Sequence, residues 1–206
     1  MTDASSIGAC LGHEALIATV LRISLRYRRL SQLEEGYGII MAPVERLAQK
    51  YMHDPLRIDP SSGRRLPWSK PGHDLLVLSN FTGASAELCP RSILAKVLAR
   101  AAEAGLFPKY GMELEYTLFD ETPESAKAKG YRNLKPATQH ASHDLILYQA
   151  VQTEWYEALA SICEPLKIDL AKMHEEIGAG FMEACIAAGE GLEPADQLVL
   201  LKNFIR

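Results

Sequence analysis

Four glutamates and one histidine are the residues best placed to do chemistry in this sequence. Glu113 and Glu115 stand two apart in Met112-Glu113-Leu114-Glu115-Tyr116, where apolar and acidic residues alternate. A period of two belongs to a strand, so both carboxylates leave the same face within a few ångströms of each other. Glu176 and Glu183 flank the turn residues Gly178-Ala179-Gly180, and His174 alternates onto the side of Glu176. Like charges gathered in this way repel unless a cation neutralises them, and carboxylate oxygens are the hard donors that Mg²⁺ or Mn²⁺ prefers. The plainer alternatives are a solvated strand face for Glu113 and Glu115 and a packed or surface histidine for His174.

Other chemistries lack their residues. There is no GxxxxGK[ST] and no strand-GxGxxG-helix unit, so Gly178 and Gly180 do not form a phosphate loop. No GxSxG is present, and Cys10, Cys89, Cys163 and Cys185 are scattered through apolar or helical contexts, which reads as four free thiols. The pair His140 and His143 has no second pair at ligand spacing and reads as a polar loop before a helix.

The elements that position these groups follow from periodicity. Glu34-Glu35-Gly36-Tyr37-Gly38 looks like a turn, and the Pro-, Gly- and Ser-rich stretch from Asp59 to Gly72 looks like a long loop. Leu75 to Leu78 reads as a short buried strand. A helix opens at Cys89-Pro90-Arg91, carries Ile93, Leu94, Val97, Leu98, Ala101 and Ala102 on one face, and stops at Gly105. A strand follows over Tyr110 to Phe119, then a polar loop over Asp120 to His140. One helix is expected from near Ser142 to Pro165, with Leu145, Tyr148, Val151, Trp155, Leu159 and Ile162 along its stripe. Leu166, Ile168 and Leu170 alternate again, the segments around the glycine turn pair as a hairpin, and a last helix starts near Pro194. This order predicts an α+β fold with a mostly antiparallel sheet.

The 206 residues are 48% hydrophobic and 23% charged, enough to bury a core without covalent staples. A net charge of -4 argues against a nucleic-acid partner. No apolar run approaches the roughly 18 to 20 residues of a membrane span, and the start of the chain is unlike a signal peptide, so a cytoplasmic location and no membrane partner are expected.

The strand Gly111-Met112-Glu113-Leu114-Glu115-Tyr116-Thr117-Leu118-Phe119 resembles the GxExEFxLF strand of the glutamine synthetase family, and His174 to Glu183 resembles its HxExGPGQxE segment. Leu66-Pro67-Trp68, Cys89-Pro90-Arg91-Ser92-Ile93-Leu94 and Leu192-Glu193-Pro194-Ala195-Asp196-Gln197 match further family segments in the same order, over about residues 56 to 206. The resemblance implies a β-grasp-like N-terminal domain over residues 1–88 and the N-terminal part of the catalytic domain over 89–206. It implies Mg²⁺ or Mn²⁺ as cofactor and ATP as co-substrate. Glu115, Glu176 and Glu183 would bind one cation, and Glu113 would contribute to a second. The implied reaction is an ATP-dependent ligation of the glutamate γ-carboxylate to ammonia or an amine through a γ-glutamyl phosphate, in a homo-oligomer whose active sites lie between subunits.

Three departures qualify the resemblance. Phe181 and Ala179 stand where the family has Gln and Pro, and with Gly130 to Pro136 this suggests the branch that makes γ-glutamyl amines and polyamines. The family's Asp-x-x-Gly segment, which reaches a neighbouring subunit's active site, is absent from Arg22 to Gly38, its expected location. The later family segments, with the second metal's other ligands and most of the ATP pocket, would lie beyond Arg206. The expectation is therefore a fragment unable to turn over unaided, with a non-catalytic relative of structural or regulatory role as the alternative.

Overall fold

A computed structural model describes residues 18–22, 35–40, 52–70, 74–139 and 145–205. His140, His143 and the expected helix start at Ser142 lie outside the described residues. The chain divides into two units, Met1–Pro108 and Lys109–Arg206.

The first unit is built on a four-stranded antiparallel sheet: β1 (Ala18–Arg22), β2 (Glu35–Ile40), β3 (Met52–Arg65) and β4 (Asp74–Phe81), in the order β1-β4-β3-β2. The expected buried strand is β4, longer than predicted. Leu76, Val77 and Leu78 are buried in succession, and because successive side chains point to opposite faces, both faces of this strand are covered there. Each such side chain contributes about 1.5–3 kcal/mol relative to exposure.

Two expectations fail here. Glu35 to Gly38 is not a turn but part of β2, paired with β3 from Glu35 opposite Arg57 to Ile40 opposite Met52. Asp59 to Arg65 is not loop either, because β3 runs through it. The register against β4 jumps from Asp59 opposite Leu78 to Arg64 opposite Leu76, so the turn-forming residues Pro60 to Gly63 make a bulge without ending the strand. Asp59 accepts from the Ser61 backbone N–H at 3.0 Å, and the buried Ser62 hydroxyl accepts from the Leu78 N–H at 2.7 Å, which closes the bulge.

A 3₁₀ turn (Gly83–Glu87) leads into α1 (Pro90–Glu103), with Cys89 as N-cap and Pro90 in the first turn, as its sequence predicts. Arg91 donates to Asp59 at 2.6 Å and to Asn80 at 3.0 Å, which fixes the helix start on β3 and β4. Burial alone would raise the Asp59 pKa, but the bonds from Ser61 and Arg91 hold it below the ordinary value.

The second unit carries β5 (Lys109–Thr117), β6 (Leu170–Glu175) and β7 (Phe181–Glu190) as an antiparallel sheet in the order β5-β7-β6. A six-residue helix, α2 (Pro123–Ala128), capped by Thr122, interrupts the expected loop. The single helix expected up to Pro165 is instead broken into α3 (Ile146–Ala150) and α4 (Thr153–Cys163). At the break, Gln152 leaves helical geometry with φ -110 and ψ 22, and its side chain bonds to Glu175. Leu166 and Ile168 are buried in the turn before β6 and are not part of the strand. The last helix, α5 (Glu193–Phe204), contacts β5 and β7 and buries Leu200 and Leu201. Helices combined with antiparallel sheets agree with the expected α+β class.

Candidate functional site

The alternation in β5 becomes geometry through pairing. Met112, Leu114 and Tyr116 are half-buried, whereas Glu113 and Glu115 are exposed. The register sets Glu115 opposite Glu183 on β7, and Glu183 opposite His174 on β6. The adjacent row on the same face is Glu113, Cys185 and Lys172. Directly opposed residues have Cβ atoms about 4.5–5.5 Å apart, so the side chains of each row lie within reach of one another, and this face carries three carboxylates beside His174, Cys185 and Lys172. The other face carries Tyr116, Met182 and Glu175 in one row and Leu114, Ala184 and Met173 in the next.

The β6–β7 connection aligns these rows. Phe181 N–H donates to Gly178 at 3.0 Å, and Glu176 N–H donates to Phe181 at 2.8 Å, which fixes Glu176 just beyond the strand end. Gly180 adopts φ +70, and a Cβ there would lie 2.5 Å from the Leu118 carbonyl oxygen, so only glycine fits without displacement. Its own carbonyl accepts from Leu118 N–H at 2.8 Å, tying the turn to the end of β5.

His174 is 2% exposed and sits among the carboxylates. Its Nδ1 lies 3.1 Å from the Glu175 backbone carbonyl and 3.5 Å from Glu176 Oε1, and its Nε2 lies 3.6 Å from Glu183 Oε1. A carbonyl only accepts, so that bond places the proton on Nδ1 and leaves the Nε2 lone pair facing Glu183 in the neutral ring. The Cys185 thiol donates to Glu183 Oε1 at 2.8 Å. That bond is the main reason the Glu183 carboxyl is held below its ordinary pKa; burial opposes it, and Glu176, Lys172 and the His174 ring when it is protonated assist. Burial and the same bond push the Cys185 thiol up to about 12.

Of the sequence-predicted residues, Glu113, Glu115 and Glu183 thus share a sheet face, and Glu176 reaches it through His174. Three neighbours were not foreseen. Cys185 is not in an apolar or helical context but is a half-exposed thiol on this face. Its position two residues after Glu183 was the available signal, because equal parity on a strand means the same side. Lys172 follows from the same rule relative to His174. Glu175 is buried on the opposite face, where Gln152 donates to its Oε1. Cys89 and Cys163 are free and buried, as expected.

Comparison with known proteins divides the chain. Residues 87–206 match the family model described as the glutamine synthetase catalytic domain, and residues 2–62 match that of Firmicute fructose-1,6-bisphosphatase. Type-1 glutamine synthetase 2 of Dictyostelium discoideum is 32% identical over 151 residues, covering 71% of this chain and 28% of its own length. Gamma-glutamylanilide synthase of Acinetobacter sp is 30% identical over 161 residues, covering 72% and 32%. The class 3 fructose-1,6-bisphosphatase of Clostridium tetani is 53% identical over 45 residues, covering 22% and 7%. A solved structure titled "Apo GmaS without ligand" aligns with TM-score 0.63 at 22% identity, covering 86% of this chain and 41% of that one. The chain thus spans about a third or less of the length of these curated relatives. The missing Asp-x-x-Gly segment, at Arg22 to Gly38, falls inside the residues that match the bisphosphatase model.

Proposed function

The chain belongs to the glutamine synthetase family of ligases through its residues 87–206, and from that membership we propose that it supplies the cation-binding opening of a catalytic domain that joins the γ-carboxylate of glutamate to ammonia or an amine at the expense of ATP. The observation that carries this reading is the cross-strand alignment of Glu115, Glu183 and His174, with Glu176 on the histidine. The donors fit a hard divalent cation: Glu115, Glu176 and Glu183 would hold one Mg²⁺ or Mn²⁺, and Glu113 would contribute to a second. A bound cation would neutralise the charge that gathers on phosphate and carboxylate oxygens during phosphoryl and amide transfer. The chain's own part is positional. Three paired strands fix the carboxylates, and the Nδ1–H bond to Glu175 orients the His174 ring.

Calorimetric titration of the chain with Mn²⁺ tests this site. Weak binding is expected, lost in the Glu115→Ala, Glu183→Ala double variant; an unchanged titration refutes it.

The acceptor we propose is an amine. Phe181 has the strand parity of Glu183, so it borders the acidic face, and its Cβ lies 3.1 Å from where a Gly178 Cβ would stand. An aromatic at this edge favours an acceptor bulkier and less polar than ammonia, in keeping with the name of the anilide-forming relative. A product assay on a version extended through the rest of the domain, offered ammonia, monoamines and diamines, decides the matter; a preference for ammonia ends it.

We read residues 89–206 as the opening part of the catalytic domain and 1–88 as the N-terminal domain. Its β-grasp-like character rests on residues 56–88, since the segment before them matches another family. A cytoplasmic homo-oligomer acting on glutamate and ATP completes the reading. One observation favours the alternative of a non-catalytic relative: the N-terminal residues lack the segment that would reach a neighbouring active site. Amine-dependent phosphate release from ATP by the extended version would exclude it.

A further inference from the structure

We propose that His174, Glu183 and Cys185 form a three-ligand site for a borderline divalent cation of the Zn²⁺ or Co²⁺ class, bound through imidazole nitrogen, carboxylate oxygen and thiolate sulfur with a fourth position open. It shares Glu183 with the all-carboxylate site above but does not depend on the ligase reading.

Three observations carry it. One ligand atom from each residue lies within 4.8 Å of the other two. Tetrahedral zinc, with bonds of about 2.0–2.3 Å, sets ligand-to-ligand distances of about 3.3–3.6 Å. The His174 Nε2 to Glu183 Oε1 separation is already 3.6 Å, and the Cys185 Sγ to Glu183 Oε1 distance of 2.8 Å has only to open as the thiol proton leaves.

The histidine is oriented as a ligand. Its Nδ1–H donates to the Glu175 carbonyl at 3.1 Å, which is the outer-shell bond that metal-bound histidines use to fix their tautomer. Burial at 2% exposure keeps the ring from swinging away.

The backbone also brings the set together in advance. Glu183 and Cys185 are two apart on β7, and His174 is paired with Glu183 across the strands. Lys172, opposite Cys185, places a positive charge beside the sulfur. Sulfur shifts preference away from Mg²⁺ and Mn²⁺ toward Zn²⁺, whose binding replaces the thiol proton and releases it to solvent. Because Glu183 is common to both sites, Zn²⁺ here excludes a hard cation from that carboxylate.

Cobalt(II) added to the whole purified chain provides the test. The expected result is a thiolate-to-cobalt charge-transfer band in the near ultraviolet, tetrahedral visible bands and about one proton released per ion. Zn²⁺ should displace the cobalt and remove the bands. Cys185→Ser should abolish the charge-transfer band and weaken affinity at least about tenfold, and His174→Gln should weaken affinity similarly, whereas Cys163→Ser leaves the spectrum intact. If Cys185→Ser does not fold, mass-spectrometric alkylation of the unsubstituted chain replaces it: Zn²⁺ must protect Cys185 selectively. Absence of the charge-transfer band, its persistence in folded Cys185→Ser, or alkylation of Cys185 unaffected by Zn²⁺ overturns the proposal. Parallel Mn²⁺ calorimetry separates the two readings. Manganese binding without a thiolate band defeats only the mixed-ligand site, and binding of neither ion defeats both.

Discussion

Replacing Gly180 by alanine tests whether the glycine turn is what aligns the acidic face. Two costs are expected there. The backbone sits at φ +70, where an L side chain costs about 1–2 kcal/mol. The new Cβ would also meet the Leu118 carbonyl oxygen at 2.5 Å and the Ala137 nitrogen at 3.3 Å, and relieving such overpacking in fixed backbone costs about 1–3 kcal/mol more. Gly191 separates the two terms. It lies in the same unit at φ +68, with nothing within 4 Å of its would-be Cβ, so alanine there carries the conformational cost alone. Urea denaturation followed by tryptophan fluorescence, with Trp155 in this unit as reporter, should show Gly180→Ala less stable than Gly191→Ala by about 1–3 kcal/mol. Because Glu176 and Glu183 flank the turn, Gly180→Ala should also weaken Mn²⁺ binding while Gly191→Ala leaves it unchanged. Equal destabilisation by the two variants would refute the claim that close approach, rather than backbone sign, requires glycine at 180.

Glu121 gives a pH prediction. Lys129, Ser125 and the Lys135 backbone N–H all donate to its carboxylate, Lys129 most strongly, and hold its pKa near 2 against an ordinary 4.5. A depressed folded-state pKa stabilises above the unfolded value and is lost as pH falls through the folded one. Stability attributable to Glu121 should therefore be complete above about pH 4.5 and decline toward pH 2, and Glu121→Gln should flatten the stability profile in that window; a carboxyl titrating by NMR at the ordinary value would contradict this. On the opposite face of the sheet, Gln152→Ala should destabilise by about 1–3 kcal/mol because it removes a hydrogen-bond donor from buried Glu175. In a Glu175→Met background, which removes the acceptor, the same change should cost clearly less, and equal costs in a double-mutant cycle would show that the two side chains are uncoupled.

Local pattern fixed what depends on neighbours along the chain. Alternation from Met112 to Tyr116 marked β5 and both of its faces, and Pro90 with the apolar face of Ile93 to Ala102 marked α1. The same local logic misread Asp59 to Arg65, because the bonding edge of β4 holds a bulged strand through residues that alone prefer turns. It also read one helix where Gln152 breaks the path to reach Glu175, a residue more than twenty positions later. Both errors have one cause: a partner distant in sequence outweighed a propensity of a few tenths of a kcal/mol per residue.

Donor types, their parity and their family were legible along the chain alone, since a carboxylate's chemistry and a strand's period of two need no partner. Which donors meet was settled by strand pairing. The register of β7 between β5 and β6 set Glu115, Glu183 and His174 in one row and brought Cys185 beside Glu183, and a shift of one residue would have sent each to the other face. Register is a property of hydrogen bonds between distant segments, held here by the Gly180 turn and by Met182 and Ala184 fully buried on the opposite side.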